Sequence, residues 1–136
     1  MGISSEREDG GSRSTPIRRA STSSSERRQF EKNMEHLQAL VDSIRAAGLP
    51  VAVIYNPERG HVVPEGSPPP ALYEQFREWV DQHDIPMLDL QARWEGKQEV
   101  RQYYRDYIHL NEQGNAVLAK QLSEFVRAKD LPACQP

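Results

Sequence analysis

Between Glu26 and Ala47 the large apolar residues Phe30, Met34, Leu37, Leu40, Val41 and Ile44 recur at intervals of 4, 3, 3, 1 and 3 residues. This spacing lays one stripe along an amphipathic helix, and Gly48 supplies its stop. The next run, "PVAVIYNP", is short, unbroken and rich in β-branched residues, and it predicts a parallel strand buried on both faces. "ERGHVVPEGSPPP" follows, and its prolines forbid regular structure over a long excursion, a loop length usually functional or mobile. Helical spacing returns with Leu72, Phe76, Trp79 and Val80 in "ALYEQFREWVDQH", and "IPMLDL" reads as a second short buried strand. Residues 91–105 show no clean period and are expected to be a loop with one helical turn. The last helix is clearer. Asn111 is a good N-cap, Glu112 suits the helix dipole, and Val117, Leu118, Leu122, Phe125 and Val126 form a buried face. Gly114 in its first turn costs about 1 kcal/mol relative to Ala, which points to close backbone packing or another constraint there.

The order helix, strand, loop, helix, strand, loop, helix describes one βαβ unit, so the chain is α/β with about two parallel strands and three helices. Parallel strands that are apolar on both faces occur almost only inside larger sheets, and two alone leave long unpaired edges. The expected architecture is therefore the C-terminal portion of a doubly wound, three-layer domain. The chain is a piece of a larger domain, a partner copy completes it by self-association through the sheet edge, or the fold is marginal.

Composition restricts the folding region to residues 29–136. The first 28 residues are dominated by Ser, Arg, Glu and Gly, with Met1, Ile3 and Ile17 as the only large apolar side chains, and are expected to be a disordered tail. The tail holds six arginines against four acids, net +2, which leaves −5 of the total −3 for the remainder. That mildly acidic remainder argues against nucleic acid as a partner. The single Cys134 allows neither an internal disulfide nor a cysteine metal cluster. No apolar run approaches the roughly 20 residues of a membrane span, and no signal peptide is seen, so the expectation is a cytoplasmic protein if Met1 is the true start.

The chemistry centres on "YYRDYIHLNEQGN", where Asp106 precedes His109 by three residues ahead of a capped helix. A histidine general base needs one fixed tautomer, and a carboxylate accepting from Nδ1 supplies it while stabilising the imidazolium. Alone, such a spacing is more often a turn cap beside a surface histidine. The stretch "DYIHLNEQGNAVLA" after a strand and before a terminal helix resembles the last sequence block of the SGNH, or GDSL, hydrolases, and the upstream order of elements is similar over residues 30–128. The resemblance implies a flavodoxin-like fold, no cofactor and no metal, and an acyl ester or acylated carbohydrate as substrate. It also implies that Asp106 orients His109, the base that activates a serine in ester hydrolysis. The family's Gly-Asp-Ser and Gly-x-Asn-Asp blocks have no counterpart here: Ser12 in "DGGS" follows no apolar strand, and Asn56 lacks the Gly and Asp neighbours. Negligible esterase activity is therefore expected of the chain alone, and a non-catalytic interaction module is the competing reading.

Other candidates have plainer readings. His61 is a solvated loop histidine in preference to a channel gate. His36 falls on the polar side of the first helix, and His83 sits where a cation suits a helix end. A metal site from His61, Asp89, Asp106 and His109 finds no support in their spacing. Tyr73, Phe76 and Trp79 are expected in a core or interface, and Tyr103 and Tyr104 along the cleft that His109 faces.

Overall fold

The computed structural model describes residues 22–131. Helix α1 (Ser24–Ala46) starts earlier than its apolar stripe, because Ser23 and Glu26 close a reciprocal capping box that satisfies two free N–H groups. Residues 24–28, assigned by composition to the tail, are therefore helical; residues 1–21, with Ser12, and Cys134 lie outside the described residues. At the other end Gly48 takes φ +72°, and Gly48 N and Leu49 N donate to the Arg45 and Ile44 carbonyls. This pair of bonds is the Schellman ending that a left-handed glycine permits.

Strand β1 (Val53–Tyr55) and strand β2 (Met87–Asp89) form a two-stranded parallel sheet in the register Val53↔Met87, Ile54↔Leu88, Tyr55↔Asp89. Helix α2 (Tyr73–Gln82) is the crossover. Helix α3 (Leu90–Trp94), a 3-10 turn at Gln98–Gln102 and helix α4 (Glu112–Ala128) complete the order, and a further 3-10 turn occupies Arg59–His61 in the proline-rich excursion. The α/β class and the parallel pair agree with the sequence. Among the described residues four α-helices are present where about three were expected: the helical turn expected within residues 91–105 is α3, and five residues are too few to show a 3.6-residue period.

Two apolar clusters lie on opposite faces of this small sheet. On one, Val53 and Met87 meet Val41 of α1 and Val80 of α2, with Ile85 between them. On the other, Leu88 packs with Leu90, Trp94, Val100, Tyr103, Tyr104 and Phe125. The second cluster covers β2 and not β1: Leu88 is 0 % exposed, whereas its register partner Ile54 is 44 % exposed. Burial on both faces thus fails for β1, whose Ile54 stays partly open to solvent. Leu40, placed in the buried stripe by its spacing, is also exposed, as is Leu49. Since Val53 N donates to Pro86 O, the pleat turns the backbone polar groups of Ala52 and Ile54 away from β2, onto an edge without a strand among the described residues.

Candidate active-site turn

Residues 104–110 form a tight loop whose arms are joined by the antiparallel bridge Tyr104↔Leu110 and by Arg105 N donating to His109 O at 2.8 Å. Asp106 organises its interior. Its Oδ1 accepts from Ile108 N (3.0 Å) and His109 N (2.8 Å), the local side-chain-to-backbone pattern that suits Asp to turns. Its Oδ2 lies 2.8 Å from Nδ1 of His109, and Oδ1 lies 3.0 Å from the same nitrogen. A carboxylate only accepts, so Nδ1 carries the hydrogen and the neutral ring leaves Nε2 as a free acceptor.

These bonds hold the Asp106 carboxyl well below the usual carboxylate range. The backbone N–H of His109 contributes most, then its imidazole, then the N–H of Ile108. Arg105 Nε lies 3.8 Å from Oδ2 and places a cation beside the carboxylate. Both members of the pair are open to water, with side-chain exposures of 47 % for Asp106 and 57 % for His109. They lie outside two open surface grooves, one between α1 and α2 over Phe30, Met34 and Trp79, the other at the start of α4.

The proline-rich excursion is fastened to this turn. The buried Tyr104 phenol donates to Pro57 O at 2.7 Å, and burial pushes its pKa up to about 12. Arg59 N donates to Tyr107 O at 2.9 Å, and Gly60 sits against the Tyr107 ring, where a Cβ would come 2.8 Å from the phenol oxygen. Tyr103 and Tyr104 do not line a cleft. They are buried with Trp94, whose ring meets both edge-on. An irregular apolar spacing here had hidden core residues.

His61 is half-buried, not solvated. Its carbonyl accepts from the buried Gln91 amide, and its Nδ1 donates to Pro68 O, so the loop itself uses the ring. His36 is exposed on α1. His83 caps α2, stacks on Trp79 at 4.4 Å and donates from Nδ1 to Trp79 O. Among the described residues no three His, Cys, Asp or Glu side chains converge as a metal site, and no helix is long and apolar enough to cross a membrane.

Asp89, weighed in the sequence only as a metal ligand, is a junction at the carboxyl end of β2. Its Oδ2 accepts from Tyr73 OH (2.5 Å) and meets Arg77 Nε (3.4 Å), while Oδ1 caps α3 through Ala92 N (3.1 Å). No local motif announces this role, since its partners lie 12 and 16 residues upstream.

A family model described as "SGNH hydrolase-like domain, acetyltransferase AlgX" matches residues 17–136. No curated protein and no solved structure matches the chain. The match takes in every described element, from the start of α1 to the end of α4. With the parallel α/β sheet, the match establishes the conclusion that the resemblance of the terminal block had suggested: this chain belongs to the SGNH hydrolase-like family, ALGX.

Proposed function

We propose that this chain supplies the acid–base half of a Ser-His-Asp site acting on acyl esters, with Asp106 orienting and His109 as general base. The observation that carries the reading is the 2.8 Å contact between Asp106 Oδ2 and His109 Nδ1, which leaves Nε2 free toward solvent. In such a site Nε2 takes the proton of an attacking hydroxyl and returns it to the leaving group. A serine placed against Nε2 would form the acyl enzyme; water or a carbohydrate hydroxyl would then accept the acyl group. The family description, an acetyltransferase, fits the second acceptor.

The nucleophile and oxyanion donors have to come from another segment. Among the described residues no serine hydroxyl bonds to His109. Oxyanion donors are each worth roughly 2.7–4 kcal/mol, and without a serine no acyl enzyme forms. The chain alone is therefore expected to leave a short-chain acyl ester at its buffer rate and to take no label from a fluorophosphonate. Turnover that disappears in His109→Ala would show that the serine is within the chain after all.

The open side of β1 favours a second reading, in which the chain works as an interaction module. Ile54 is exposed on β1, an edge strand among the described residues, and a strand from another chain or a second copy would pair with that edge. A concentration-dependent dimer in light scattering, with no fluorophosphonate labelling in any complex, separates this reading from the first.

A further inference from the structure

We propose that Asn111 is a positioning residue for His109, acting through the carbonyl of Gln102; this role rests on the acid–base reading above. The exposed Asp106–His109 pair has no core packing to hold it, so its geometry depends on the backbone of the turn. The incoming arm of that turn is tied to Asn111, two residues beyond the histidine on the outgoing arm.

Besides accepting from Asn115 N within α4, Asn111 makes three bonds that join the incoming arm to the helix. Its backbone N–H donates to Tyr103 O at 2.8 Å. Its Oδ1 accepts from Gly114 N at 2.9 Å, which caps α4. Its Nδ2 donates to Gln102 O at 2.6 Å. The first and third tie the incoming arm to residue 111, and the second ties residue 111 to the helix. Gly114 makes this possible, because a Cβ there would overlap the Tyr103 carbonyl. From Tyr103 the linkage continues through the Tyr104↔Leu110 bridge and the Arg105 N to His109 O bond to the catalytic pair.

Capping α4 needs only an acceptor, and Asp, Ser or Thr would serve. Holding Gln102 O needs a donor on the same side chain, which Asn has and ionised Asp lacks. The two roles therefore separate in Asn111→Asp, which keeps the helix cap and sets a carboxylate oxygen against a carbonyl oxygen.

The test is the imidazole ¹⁵N spectrum of the full chain at a pH where the ring is neutral. In the unsubstituted protein His109 is expected as the Nδ1–H tautomer. In Asn111→Asp that preference is expected to fall at least severalfold, toward a mixture of tautomers, with the helical circular dichroism retained. Should Asn111→Asp also lose its helical signal, Asn111→Ser carries the comparison, since it caps α4 without a charge and cannot reach Gln102 O. A wild-type tautomer ratio in whichever variant stays folded overturns the positioning role. Absence of the Nδ1–H preference in the unsubstituted protein would instead overturn the acid–base reading.

Discussion

The phenol of Tyr73, at the first turn of α2, donates to Oδ2 of Asp89, at the last residue of β2, and so locks the crossover helix to the strand it feeds. Burial is the first cause of the raised Tyr73 pKa and the Asp89 bond the second, so the phenol keeps its proton. Asp89→Ala leaves that hydroxyl without its acceptor and uncaps α3. A loss of about 1–3 kcal/mol in urea unfolding is expected. A change within error would mean that water replaces the carboxylate without cost.

Asp106 should titrate below the ordinary aspartate value. Its native value is depressed from an ordinary value near 4, so its bonds to the turn are fully present above about pH 4 and are lost as pH falls through the lower native value. The Asp106 carboxyl ¹³C shift, followed through acid, is expected to show a midpoint below that ordinary value. A midpoint at or above it would contradict the turn geometry.

Gly114 in the first turn of α4 admits no side chain. Gly114→Ala would normally improve helix propensity, yet the Tyr103 carbonyl occupies the place of the new methyl group. The carbonyl belongs to a buried residue and cannot move aside freely, so a destabilisation of about 1–3 kcal/mol is expected from thermal or urea melts. A more stable variant would show that the arm relaxes.

Ile54 separates monomer stability from association. Its side chain is on the uncovered face of β1, so Ile54→Lys should change the unfolding free energy of the monomer by no more than about 0.5 kcal/mol. The same lysine on an edge strand discourages strand addition. Any concentration-dependent assembly is expected to vanish in this variant, as measured by light scattering. Assembly that persists would move the contact surface away from β1.

Local sequence determined the features that depend on near neighbours. The capped start of α4, the Gly48 stop of α1 and the two short apolar runs were all legible, because N-caps, left-handed glycines and apolar periods act within a few residues. Asp106 and His109 were legible for the same reason: three residues apart in a turn, their contact needs no distant element. The capping box at Ser23 is equally local, but a Ser- and Arg-rich composition disguised it as tail.

Only the tertiary structure decided which apolar residues are covered. Ile54 and Leu88 stand side by side in register, yet Leu88 is enclosed in the cluster with Trp94 and Phe125 while Ile54 stays 44 % exposed. Likewise Asp89 found Tyr73 and Arg77 beyond its local cap of α3, His61 turned into its own loop, Tyr103 and Tyr104 entered the core, and Gly114 met the Tyr103 carbonyl. Periodicity tells which side chains share a face of one element. The contact that each face finds is set by where the other elements pack, and that information is spread over residues far apart in the chain.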